Sequence, residues 1–240
     1  MTQVNSGSVA QLYNGFQIDI DVDAVLRSQG ADPEVIRSRR PALLRVAEEA
    51  IREGTSLLHP MAWMATFPVQ AFRNGQLELA NGSILTGDPT AEQLAAAERV
   101  SLILCTLGTQ LEERIDQEFS QNPVLALALD GLGTAAVDRL AMIICQAYDD
   151  LANSEGKKTS IPISPGMIGW PIEDGQPQIF SVLKPPEELI ELQIGNMMKP
   201  RKSISMVIGT GPTLNRHGRT CDYCGLKDTC NFKSRHAVQI

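Results

Sequence analysis

Histidine is scarce in this chain, with three copies among 240 residues, and aromatic side chains make up only 5%. A Ser–His–Asp or Cys–His relay needs a histidine within hydrogen-bond reach of its nucleophile. His59 sits in a Leu-Leu-His-Pro context that reads as structural, and no Gly-x-Ser-x-Gly elbow occurs. Gly209-Thr-Gly211-Pro is too short and wrongly placed to cradle a phosphate. Missing too is any apolar run approaching the ~20 residues of a bilayer-spanning helix. The 124–132 stretch is short and carries Asp130. The opening Met-Thr-Gln-Val-Asn-Ser lacks the basic and apolar regions of a secretory signal, so the expectation is a cytoplasmic protein with no membrane partner. Positive charge is also in deficit. A net charge of −7 argues against a general nucleic-acid binder.

The charge is unevenly spread. Between Lys199 and Arg235 eight basic residues face two acidic ones, which leaves that segment at +6 and the rest at −13. A basic end on an acidic body reads either as solvated surface or as a docking face for an anionic partner. Hydrophobic content of 43% argues against disorder and for a chain that buries a sizeable core.

Local signals predict an α+β protein. Apolar and acidic residues alternate over 16–22, which reads as an edge strand. A helix is expected over 23–29, and a firmer one over 42–53, opened by Pro41 and closed by Gly54. The 61–85 stretch reads as strands punctuated by Asn74-Gly75 and Asn81-Gly82. Thr90 and Gln93 have capping-box spacing, predicting a long helix from Asp88 towards Phe119 with an interruption at Gly108. A second long helix over 124–151 follows the Asn122-Pro123 corner, and Cys105 and Cys145 fall as buried hydrophobes in these two helices. Further on, 178–184 and 203–208 read as strands, with a short helix begun by Pro185-Pro186-Glu187-Glu188. The expected architecture is a twisted, mostly antiparallel sheet flanked by long helices. It divides into an α+β domain over 1–212 and a cysteine-bearing tail over 213–240.

Three motifs can carry chemistry. In Cys221-Asp-Tyr-Cys224-Gly-Leu-Lys-Asp-Thr-Cys230, a C-x₂-C turn aims two thiolates at one ion, and Gly225 lets the chain fold back so that Cys230 reaches it. In a reducing compartment that clustering favours a metal over a disulfide framework. Zinc and an iron–sulfur cluster both fit. His217, His236, Cys105, Cys145, a water or an exogenous ligand are candidates for a fourth position. The second motif is Pro162-Ile-Ser-Pro165-Gly166-Met-Ile-Gly169-Trp170-Pro171, whose prolines and glycines shape an extended loop with Trp170 available for stacking. The third, Met198-x-Pro200-x-x-Ser203-Ile-Ser205, places two hydroxyls on one face of a strand beside Arg201 and Lys202.

Ser-Pro-Gly-x-x-x-Trp-Pro followed by Met-x-Pro-x-x-Ser-Ile-Ser resembles the activation domain of vitamin B12-dependent methionine synthase. More closely, the chain looks like free-standing members of that family that accompany corrinoid methyltransferases. The likeness takes in Thr106-Leu107-Gly108 with Glu112, Leu129-Asp130-Gly131 and the early Ile18-Asp-Ile-Asp-Val-Asp segment. It implies an accessory role in reductive activation of cobalamin supplied by a partner, either a corrinoid protein or a cobalamin-dependent methyltransferase. Pro165, Gly166, Trp170, Lys202, Ser203 and Ser205 would then shape the ligand or docking surface, and Cys221, Cys224 and Cys230 would hold the metal. The family's S-adenosylmethionine loop reads Arg-x-x-Pro-Gly-Tyr. Here Pro162 and Met167 stand at the Arg and Tyr places, which implies weak S-adenosylmethionine binding. Two other readings stay open: a zinc-stabilised, non-enzymatic binding module for a corrinoid protein, and a methyltransferase component. No Asp-x-His-x-x-Gly is present, so the latter would act on a partner's corrinoid.

Overall fold

Helix caps and turn residues set most element boundaries in the computed structural model, which describes residues 8–214 and 218–230. The chain begins β1 (Gln11–Tyr13), α1 (Val22–Ser28), α2 (Pro33–Arg39), α3 (Pro41–Gly54), β2 (Met61–Arg73), β3 (Gln76–Leu79) and β4 (Ile84–Leu85). It continues α4 (Asp88–Leu94), β5 (Arg99–Thr106), α5 (Gln110–Phe119), α6 (Pro123–Ser154), β6 (Lys158–Thr159) and α7 (Ile172–Leu183). A small hairpin, β7 (Glu191–Leu192) and β8 (Met198–Lys199), then leads into β9 (Ser203–Gly211). Asp21, Asp32 and Asn122 cap α1, α2 and α6 by accepting backbone N–H bonds, and proline opens α2, α3 and α6.

The sheet runs in the order β4-β3-β2-β5-β9-β6, and every pairing among the described residues is antiparallel. The 13-residue β2 gives one edge to β5 and the other first to β1 and then to β3. Asn74 and Gly75, both at positive φ (53° and 75°), make the tight β2–β3 turn that matches strand twist.

Both faces of the central strands are covered. On one face, Met64, Ile103, Cys105, Met206 and Ile208 pack against Val137, Leu140, Ile144 and Tyr148 of α6. On the other, Phe67, Val100, Leu102, Leu104 and Val207 meet Ile163, Trp170, Ile179 and Leu183, from α7 and the segment before it. Helix α6, 32 residues and ~48 Å long, also carries α1, α3 and α5 on its outer side. Its Gly131 lets α1 approach closely, because a Cβ there would stand 2.7 Å from Gln29 Cγ and 3.1 Å from the Val25 carbonyl.

The architecture expected from sequence is the one observed, but several elements differ. Residues 16–22 form no strand. Phe16 is buried in the core and Asp21 already caps α1, while the pairing with β2 is made by β1. The helix expected from Asp88 to Phe119 is three elements: α4, the buried strand β5, and α5. A strand covered on both faces is apolar throughout and lacks the period-two signature that marks a half-exposed one. Residues 178–184 fall mostly within α7, and the stretch expected to be a helix after Pro185 is a turn.

Leu140 is fully buried between α6 and the sheet. Leu140→Ala should cost about 2–5 kcal/mol of unfolding free energy, read as a lower denaturation midpoint with an unchanged slope.

Candidate functional site

Beyond β6 the chain keeps company with β9. The Ser160 N–H donates to the Gly209 carbonyl (2.9 Å), and Ile163 and Val207 exchange both main-chain bonds (3.0 and 2.8 Å). Pro165 has no N–H with which to continue, and the chain leaves the sheet. Two tight turns follow: the Met167 N–H donates to the Ser164 carbonyl (3.2 Å) and the Trp170 N–H to that of Met167 (2.9 Å). The Gly166 N–H then closes onto the Trp170 carbonyl (2.8 Å), and the turns need positive φ at Gly166 and Gly169. The motif thus folds into a compact knuckle. The Asp88 N–H, donating to the Gly169 carbonyl (3.1 Å), pins it to the start of α4.

Trp170 is not the stacking platform expected from sequence. It is 1% exposed and fills a slot between two glycines: a Cβ on Gly87 would stand 2.7 Å from its Cδ1, and one on Gly175 2.8 Å from its Cε2. Its indole N–H and the Gln176 side-chain carbonyl are buried without a hydrogen-bond partner among the described residues. Trp170 anchors the loop, and Pro165, against Gly175, forms part of the same slot.

The start of β9 draws together the other segments that carry the family likeness. Glu112, buried in the first turn of α5, accepts the Lys202 N–H (3.0 Å), and the Leu107 N–H donates to the Lys202 carbonyl (3.1 Å). Lys202 Nζ reaches across to α6, donating to Thr134 Oγ1 (2.9 Å) and pairing with Asp130 (2.8 Å). Gly133 makes room for its stem, since a Cβ there would lie 3.1 Å from Lys202 Cε. Ser203 Oγ donates to the Pro200 carbonyl (2.6 Å) and lies 2.9 Å from Thr106 Oγ1, while Ser205 is buried on the opposite face from Lys202. The expected ligand residues therefore divide across the sheet. Pro165, Gly166, Trp170 and Ser205 belong to one side, and Lys202 to the other.

Three of the basic residues counted in the 199–235 segment form local ion pairs here. Arg201 pairs with Asp116 (2.7 Å) and lies 3.8 Å from Glu112, Lys202 pairs with Asp130, and Lys199 lies 3.9 Å from Glu191. Lys199, Arg201 and Lys202 thus each lie near an acid. Arg216, Lys233 and Arg235 lie outside the described residues.

The cysteine segment docks on the knuckle. The Ile168 N–H donates to the Tyr223 carbonyl (2.8 Å), and Met167 bridges Cys224 in antiparallel fashion. Gln93 Nε2 donates to the Tyr223 hydroxyl (2.7 Å), and burial lifts that phenol above its usual range, keeping it neutral. Cys221, Cys224 and Cys230 are half-buried. The Leu226 N–H points at Cys224 Sγ (3.5 Å). No group of three or more His, Cys, Asp or Glu side chains converges as a metal-ligand set among the described residues. His217 and His236 lie outside them. Cys105 and Cys145 belong to the core on the α6 face, and burial pushes the Cys105 thiol up to about 12, so neither suits a fourth ligand to the tail.

Gln93 and Tyr223, which tie the tail down, have no signal in the sequence because 130 residues separate them. The capping-box reading misassigned Gln93. Gly87 is the N-cap of α4, and the Thr90 hydroxyl donates back to the Thr86 carbonyl (3.2 Å).

No protein-family model and no curated protein matches the chain. Among solved structures it is similar to the crystal structure of the MetH reactivation domain bound to AdoHcy, with a TM-score of 0.59 and 13% identity. The alignment covers 92% of this chain and 86% of that one. The fold is that of the MetH reactivation domain. At this identity the likeness speaks for architecture.

If Trp170 is an anchor, Trp170→Ala should cost about 3–5 kcal/mol of stability. Chemical denaturation gives that value directly, and a loss below ~1 kcal/mol would show that the slot is not part of the core.

Proposed function

We propose that this protein assists reductive reactivation of the corrinoid cofactor of a cobalamin-dependent methyltransferase, as an accessory to a partner that carries the cobalamin. One observation carries the reading: the reactivation-domain fold extends over 92% of the chain, and within it the segment that leads into the knuckle is held on β9 by the Ile163–Val207 bridge. Pro165, Gly166 and the glycine-lined Trp170 slot fix the backbone of the docking surface. Lys202, Ser203 and Ser205 set where β9 begins and so where that surface ends.

The donor chemistry of Cys221, Cys224 and Cys230 suits a thiophilic metal, with the Leu226 amide already aimed at one sulfur. An iron–sulfur cluster held there would supply single electrons to the partner's cobalt, whereas zinc would only cross-link the segment. S-adenosylmethionine has little to hold it. Pro162 cannot offer the guanidinium of the family's Arg, and Met167 is 7% exposed beneath the Cys224 main chain. Losing a charged hydrogen-bond partner is worth roughly 1.5–3 kcal/mol, about one to two decades of affinity.

Protein purified anaerobically without chelator should contain iron with acid-labile sulfide, and Cys224→Ser should remove most of it. Zinc without iron would favour the non-enzymatic binding module instead. Absence of both metals would sink the metal reading. Separately, titration calorimetry with S-adenosylmethionine should show weak binding. A low-micromolar Kd would mean that the loop binds the ligand through contacts other than the two replaced positions.

A further inference from the structure

The 16–22 stretch has the sequence of an edge strand but joins no ladder among the described residues. Gly15, at positive φ (77°), turns it away from β1, and Asp21 ends it by capping α1. Between those points side chains hold it in place. Phe16 is buried, Ile18 and Ile20 are half-buried against the core beneath α6, and Gln17, Asp19 and Asp21 are exposed. That alternation is the period of extended chain. From Phe16 to Ile20 no main-chain N–H or C=O has a hydrogen-bond partner among the described residues. The stretch contains no proline, so each of its amides can donate.

Beside it lies an open groove of about 350 Å³, lined by residues 18–21 together with Ile51 of α3 and Thr55 and Leu58 just beyond it. Side chains of an extended chain alternate between two faces, so four consecutive residues along one groove present it the flank where N–H and C=O groups project. The groove's walls are largely aliphatic and its two charged groups are both acids. Arg52, next to Ile51, is drawn to Glu49 and Glu53 (3.7 and 3.9 Å).

We infer that this groove takes an extended, basic segment of a partner protein, whose main chain pairs with Gln17–Ile20 as an added strand. Four residues of extended chain run ~13 Å, enough for a short ladder. Aliphatic side chains on one face of the segment meet Ile51 and Leu58, and lysine or arginine on the other meets Asp19 and Asp21. A second copy of this chain is the poorer occupant, because pairing the edge with itself sets acids against acids.

The probe is an amidated octapeptide alternating valine with lysine, labelled at its N-terminus and titrated against the full-length protein by fluorescence anisotropy. Hydrogen exchange of the Gln17–Ile20 amides is read at saturation, with amides of α5 as the internal control. The expected result is saturable binding, at least a tenfold slowing within Gln17–Ile20, and no change in α5. N-methylating the lysine amides in one peptide and the valine amides in another keeps every side chain and blocks one flank at a time. One of the two forms should bind at least tenfold more weakly. Asp19→Lys, at an exposed position, should weaken binding at least fivefold with an unchanged melting temperature. Equal binding by both methylated forms, or by a valine–glutamate peptide, would overturn strand addition, as would absence of binding. A concentration-dependent dimer whose formation slows exchange of Gln17–Ile20 would give the groove to a second copy and overturn the assignment to a basic partner.

Discussion

Eight consecutive antiparallel pairs join β5 to β9, from Arg99↔Thr210 to Thr106↔Ser203. Neither strand can shift against the other. A one-residue slip of β9 would turn Val207 towards α6, and Met206 and Ile208 towards α7, disrupting both cores at once. With that register fixed, the positions of the polar groups follow. Thr106 meets Ser203, Lys202 is delivered to Glu112 and to Asp130 of α6, and the far edge of β9 receives Ser160 and Ile163. The knuckle hangs from that edge, and the tail hangs from the knuckle.

Much of this was readable from local chemistry. Pro41, the Asn122-Pro123 corner and the Asn-Gly turns marked α3, α6 and the β2–β4 meander, because each acts within a few residues of itself. The strand β5 was not readable as a strand. Val100-Ser-Leu-Ile-Leu-Cys105 is covered on both faces, and its coverings, α6 and α7, lie far along the chain in either direction from it. The same blindness produced a strand over residues that α7 takes up. Pro177 inside the helix disguised it, although the slot for Trp170 requires Gly175 to sit on a helix there.

The candidate site was legible as residue types and illegible as geometry. The cysteine spacing, the Ser-Pro-Gly knuckle and the Ser203/Ser205 pair were all visible in the sequence. What the fold adds is their arrangement: Trp170 is turned inward as an anchor, Arg201 and Lys202 are matched by acids, and Cys224 bridges the knuckle. Each of these depends on contacts across tens of residues, where periodicity and composition are silent.

The margins of the sheet have a bearing on how molecules of this protein treat one another. On one side the outer strands, β1 and β4, are three and two residues long, and the other margin is formed by β6 and the Ser160–Ile163 stretch, interrupted by Pro162 and ended by Pro165. A strand from a second molecule would find too few consecutive donors at either margin to build a ladder. A broad sheet can thus be kept at high concentration without adding further strands end upon end, and association with other proteins is left to surfaces outside the sheet.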